Sequence, residues 1–150
     1  MERTDSSSCL DGKNIKTQRI VCRPYELDEA ARRRFAKRIY VGLPEREARI
    51  AIVQRSLEGV DHAIGETDYE DVARLTEGYS GADMHQLCAE AAMGPVRDAL
   101  TGDIENVNVE AIRAVGLIDL QSAARVVRAT VVEKDLKVYA EWDKTFGCLL

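Results

Sequence analysis

The chain is 150 residues long, 45% hydrophobic and 31% charged, with a formal net charge of −5. This is the balance of a soluble, helix-rich globular protein, with room for one domain or two small pieces with separate cores. The acidic charge argues against a chain that binds nucleic acid or a membrane surface as a whole, and an aromatic content of 5% leaves too few rings for a single-strand stacking platform.

Met1 to Thr17 is polar, serine-containing and without periodicity, the composition of a disordered leader or of material foreign to the fold. Arg19 to Cys22 is a short strand candidate ended by Arg23-Pro24, since proline has no N–H to donate. Asp28 is a good N-cap for a short helix reaching about Phe35. Arg38 to Val41 is the next strand candidate, broken by Gly42-Leu43-Pro44. Pro44 suits a helix first turn, with Glu45 and Glu47 complementing the dipole and Ala48, Ile52, Val53 and Leu57 forming an apolar stripe up to Gly59.

Thr67 with Glu70 reads as a capping box for a short helix whose apolar side is Val72 and Leu75 and whose end is Gly78. Ser80 with Asp83 is an acidic variant of the same box. The helix it opens should turn Leu87, Ala91 and either Met84 or Cys88 inward, and Gly94-Pro95 should kink or interrupt it. Gly102 to Val109 reads as a loop, and Ile118 to Val127 as a helix capped by Asp119. The last helix starts near Val132 or Glu133 and ends at Phe146-Gly147, with Leu136, Tyr139, Trp142 and Phe146 on its inward stripe.

The cysteines at 9, 22, 88 and 148 are scattered, with no C-x-x-C pair, so free thiols and a reducing compartment are expected. His85 and Cys88 lie one helical turn apart but are too few for a metal site, and no metal site is expected. No apolar run approaches bilayer length, and the first residues lack the apolar core of a signal peptide, so the expected location is cytoplasmic or nuclear, with no membrane and no direct nucleic-acid partner. The sequence contains no G-x-x-x-x-G-K-[ST] phosphate loop and no apolar strand ending in Asp-Glu to hold magnesium. His62 and His85 are the only imidazoles, and neither stands in a nucleophile–base–acid series.

One cluster does carry chemistry. Arg32-Arg33-Arg34 puts fixed guanidinium charges at the end of a helix, and guanidinium forks bidentately onto phosphate oxygens. An arginine supplied across a subunit boundary stabilises the charge of a transferring phosphoryl group. The plainer role is a solvated cationic end that complements the helix dipole.

The flanking residues decide between them. CRPYELDEAARRRFAKRIYVGLPEREAR resembles the second half of the second region of homology of AAA ATPases, and YSGADMHQLCAEAA resembles the nucleotide-facing helix of their lid domain. VVEKDLKVYAEWDKTFG is similar to the C-terminal helix of the meiotic subgroup (katanin, spastin, fidgetin and the Vps4 proteins), with the ending WDKTFGC most like the fidgetin-like group. The resemblance runs from about Arg23 to Cys148. It implies a mostly α fold: a remnant edge of the AAA α/β large domain, the helical lid, then the Vps4-type C-terminal helix. The implied divisions are a leader at 1–22, the arginine segment at 23–43, lid helices at 44–100 and a C-terminal helical region at 101–150.

The resemblance also implies roles. Arg33 and Arg34 match paired arginine fingers that reach the ATP of a neighbouring subunit, while Arg32 matches a variable, structural position. Gly81 and Ala82 match lid residues beside the adenine and ribose, where small side chains allow close backbone approach; their plainer role is helix N-terminal geometry. Trp142 and Phe146 match the helix that folds back onto the large domain, and packing is the expected role of both. ATP with magnesium and a homo-hexamer of AAA subunits are implied, as is ATP-driven pulling on a polypeptide such as tubulin, hence microtubule severing, or handling of a recombinase filament.

The departure is Cys22, which stands where the family has a polar sensor asparagine, and a thiol cannot orient an attacking water as an amide can. Upstream of it the family's nucleotide motifs and pore loops are replaced by the leader, as in a truncated product or incomplete gene joined near Val21 or Cys22. Two readings follow. The chain is part of an ATP hydrolase that is inactive alone, or a non-catalytic module that docks on AAA hexamers. In either case the faces around Leu136 and Trp142 are expected to lack a large domain to cover them.

Overall fold

A computed structural model describes residues 21, 23–35, 37–100 and 112–148. The leader, the strand candidate up to Cys22 and its sensor position, and the loop from Gly102 to Val109 lie outside the described residues, apart from Val21. The helices are α1 (Glu29–Arg33), α2 (Arg46–Ser56), α3 (Glu66–Leu75), α4 (Gly81–Leu100), α5 (Leu117–Val126) and α6 (Glu133–Phe146). The fold is mostly α, with no strand among the described residues. Two compact units are present: Val41–Leu136, and the residues up to Tyr40 together with those from Lys137 on.

In the larger unit, α2, α3, α4 and α5 close over one core of Val53, Leu57, Val72, Met84, Leu87 and Leu120, each no more than 2% exposed. Met84 and Cys88 are both inward, along with Leu87 and Ala91, because all four fall on one stripe of the long helix α4. On α2 the buried residues are Arg49 and Val53, and Ala48 is exposed. The Arg49 guanidinium donates to Pro44 O at 2.9 Å and to Ala73 O at 2.8 Å. Ala73 lies in the last turn of α3, where carbonyls lack helical partners and the dipole is negative. A cation that caps a neighbouring helix therefore takes an inward place that a hydropathy stripe assigns to an apolar residue. Pro44 precedes the N-cap Glu45 and so lies just outside the helix.

Other boundaries move for similar reasons. Helix α3 opens at Glu66, with Asp68 rather than Thr67 and Glu70 at work: its carboxylate accepts from Gly65 N–H at 2.9 Å. The inward residues beside Val72 are Ala73 and Thr76, and Leu75 is exposed. Thr76 Oγ1 donates to Val72 O at 2.8 Å, which satisfies its hydroxyl inside the core. Gly78 takes φ 81, the left-handed geometry that ends α3.

Helix α4 runs through Gly94-Pro95 without interruption. Pro95 is buried, and Gly94 lies close against α5: a Cβ at Gly94 would lie 2.3 Å from Asp119 Oδ1. The pair therefore serves close helix packing rather than a break. Asp119 is the third residue of α5, behind the N-cap Gly116, whose N–H it accepts at 2.8 Å. Arg113 forks onto Asp119 at 2.6 and 2.7 Å and reaches Asp98 on α4 at 2.5 Å.

The smaller unit is built differently. Asp28 caps α1 by accepting from Ala31 N–H at 2.6 Å. The strand expected over Arg38 to Val41 does not form: among the described residues no second strand completes a ladder with it, and Val41 is 86% exposed. One backbone bond reaches this run within the unit, from Cys148 N–H to Arg38 O at 2.8 Å. Tyr139 sits between the rings of Tyr25 and Tyr40, at centroid separations of 6.0 and 6.3 Å. Leu136, Tyr139, Trp142 and Phe146 are half-buried, the stripe read from the sequence, and none is fully buried.

Candidate functional site

The arginine cluster occupies the last turn of α1 and its C-cap. Its members face different surroundings. Arg32 is half-buried, with its guanidinium carbon 4.6 Å from the centroid of the Phe146 ring. Arg33 is exposed and donates to Glu29 Oε1 at 2.5 Å, a pair open to water on both sides. An exposed pair of this kind contributes about 0.2–1 kcal/mol and exchanges readily for a stronger phosphate partner. Arg34 is the C-cap and exposed, and its side chain makes no hydrogen bond or ion pair among the described residues. The cluster thus divides into one arginine held on a ring and two facing outward.

Gly81 and Ala82, in the other unit, are the first two residues of α4, and both are exposed. Among the described residues a Cβ at Gly81 would meet nothing within 4 Å, so their packing does not demand glycine there. Directly beneath them Asp83 is buried and accepts four hydrogen bonds: from Ser80 N–H (2.9 Å) and Oγ (2.8 Å), and from Thr130 N–H (3.3 Å) and Oγ1 (2.8 Å). Burial pushes the Asp83 carboxyl up, but the hydrogen bonds from Ser80 and Thr130 outweigh it and hold the group below its ordinary value. Tyr79 donates its hydroxyl to Val127 O at 2.5 Å, and burial, then the nearby Asp83 charge, raise its phenol. Tyr79 and Asp83 together tie the start of α4 to the segment that precedes α6.

Asp83 decides what this helix end can take. Its carboxylate already neutralises the positive end of the α4 dipole, so an incoming phosphate would meet a like charge. A flat, neutral base or sugar edge against the exposed Gly81-Ala82 backbone meets no such penalty. The helix end is therefore disfavoured for a phosphate. Among the described residues no group of three or more His, Cys, Asp or Glu side chains could hold a metal ion.

The role of Asp83 as a cap was legible from Ser80-x-x-Asp83, but its link to Thr130, 47 residues on, was not. Nor was the Arg32–Phe146 contact, whose partners lie at opposite ends of the chain. No local periodicity signals either one.

Comparison with known proteins finds relatives for these residues. Residues 66–111 match the AAA+ lid domain. The chain is 58% identical over 127 residues to Fidgetin-like protein 1 of Caenorhabditis elegans, covering 85% of this chain and 21% of that protein. The crystal structure of the FIGL-1 AAA domain in complex with ADP superposes with a TM-score of 0.79 at 58% identity, over 85% of this chain and 43% of that one. A katanin structure concerned with self-assembly gives a TM-score of 0.69 at 36% identity, over 81% and 44%. Fidgetin-like protein 1 is thus a close homologue of this chain, which spans about a fifth of the length of the curated relatives it matches.

Proposed function

We propose that the chain acts as the arginine-finger and lid portion of a fidgetin-like AAA ATPase. Arg33 and Arg34 reach the phosphates of an ATP bound by a neighbouring AAA subunit, and Gly81 and Ala82 lie along the adenine and ribose of a nucleotide on the chain's own side. The observation that carries this is the pair of outward-facing guanidiniums at the end of a capped helix, within a stretch 58% identical to a fidgetin-like protein. The ADP complex of the FIGL-1 AAA domain supports nucleotide binding, and katanin self-assembly supports a ring of subunits, a homo-hexamer in this reading.

The assembled machine would use ATP with magnesium to pull on a polypeptide in the cytoplasm or nucleus, with microtubule severing on tubulin, or handling of a recombinase filament, as its work. These 150 residues contain no phosphate loop, so hydrolysis by this chain alone is not part of the proposal.

The test supplies the fingers in trans. A full-length fidgetin-like ATPase whose own finger arginines are alanine is mixed with this chain. ATP hydrolysis should rise with added chain, toward the 10³–10⁵-fold or so that a trans arginine contributes, and Arg33→Ala or Arg34→Ala in the chain should remove the gain. A second reading, a non-catalytic module that docks on AAA hexamers, is favoured by a lid that closes a core of its own. It predicts co-elution with the wild-type hexamer and a lowered rate. No rate change and no co-elution at excess chain would overturn both.

A further inference from the structure

Helix α1 has five residues, none of them buried. A helix this short does not hold its shape through backbone bonds alone. The Asp28 cap fixes its start, and the Arg33–Glu29 pair is exposed and weak. What remains to hold the outward-facing arginines is the end of α6. The Arg32 guanidinium lies over the Phe146 ring, and Phe146 is backed by Trp142 at a centroid separation of 5.4 Å. Just beyond, Cys148 N–H is bonded to Arg38 O, so the same chain end also grips the far side of the arginine segment. Arg32, Arg33, Arg38 and Phe146 line one shallow cleft of about 300 Å³.

We infer that Arg32 and Phe146 are positioning residues: their cation–ring contact fixes the direction in which Arg33 and Arg34 project. Arg32 is then the one arginine of the three that does not reach for phosphate, because its charge is spent on the ring. The inference rests on the finger reading for its consequence in catalysis, but its physical content is the order of α1.

Two measurements separate the claims. In the chain itself, the backbone ¹⁵N order parameters of Arg33 and Arg34 should be near the rigid value of about 0.85, and Phe146→Leu should drop them toward about 0.6. Phe146→Tyr, which keeps the ring face, should restore them. Leucine keeps the apolar bulk, so a merely space-filling Phe146 would tolerate it. Arg32→Met, which leaves α6 untouched, should match Phe146→Leu and covers the case in which that variant fails to fold. Unchanged order in Arg32→Met, or failure of Phe146→Tyr to restore it, overturns the inference. In the mixed assembly, Phe146→Leu in the chain should lower kcat by about two- to fivefold with KM for ATP unchanged, the scale of one cation–π contact. If Arg33→Ala leaves the rate unchanged, the finger reading falls, and the order parameters still decide the clamp.

Discussion

The two units of this chain reach order by different means. The Val41–Leu136 unit excludes water: Leu57, Met84, Leu87 and Leu120 are each at most 1% exposed, and its buried polar groups Asp83, Arg49 and Asp119 are hydrogen-bonded. The arginine-bearing unit has no buried residue in α1 or α6 and relies on stacked rings, one cap and a few backbone bonds. The first is a core in the ordinary sense, whose stability is shared among many contacts. The second is a segment held in shape by few contacts, each of which can be lost locally. A charge-presenting segment and a lid therefore have separate sources of order, and substitutions should sort accordingly.

The largest expected effect is in the lid. Leu87→Ala empties a site with no exposure at all and should cost about 2–5 kcal/mol, read as a lowered thermal or denaturant midpoint. Gly94→Ala comes next. The added methyl meets the Asp119 carboxylate, which cannot retreat because Arg113 and Gly116 N–H hold it, and a loss of about 1–3 kcal/mol is expected. Combining Gly94→Ala with Asp119→Ala should give less than the sum of the two single losses, since the two shortest contacts go with the carboxylate. Additivity would show that the methyl is accommodated some other way.

The lid should also be the acid-sensitive part. Asp119 is held below its ordinary value first by hydrogen bonds from Arg113, against burial, with Gly116 N–H adding to the effect. Asp83 is lowered by Ser80 and Thr130 against its burial. A carboxyl whose folded value lies below its unfolded one contributes stability that is fully present above about pH 5 and is lost as pH falls through the unfolded value and on toward the folded one. The lid's melting temperature should therefore fall between about pH 5 and pH 3, and Asp119→Asn should flatten that slope while lowering the plateau at neutral pH. A flat profile in the parent chain would contradict this.

The same contrast explains what the sequence could disclose. The caps at Asp28 and Ser80-x-x-Asp83, the α4 stripe and the full length of α6 were legible, because each depends on residues within one or two turns. Arg49 was not, because its partner Ala73 O is supplied by another helix, and an apolar pattern gives no place to an inward cation. Gly94-Pro95 resembled a break because propensity counts the missing N–H and not the carboxylate that packs over the glycine. Arg38 to Val41 has strand composition, and no strand among the described residues pairs with it. Of the candidate site, the identity of the arginines came from local sequence and the family resemblance. Their division into one held and two outward depends on Phe146 and had no local signal.

The smallest effect should come from the rings of the arginine-bearing unit. Tyr139 lies between Tyr25 and Tyr40, and aromatic pairs of this geometry contribute about 0.5–1.5 kcal/mol beyond the area they bury. Tyr139→Leu keeps the apolar bulk and removes both ring contacts. Because Tyr25 and Tyr40 flank α1 on either side, the loss should appear as faster amide exchange between residues 23 and 40. The lid's midpoint should stay within about 0.5 kcal/mol of the parent if each unit unfolds on its own. A lid midpoint that fell as far as it does in Leu87→Ala would mean that the two units melt as one, and that the arginine segment draws its order from the lid core rather than from its own rings.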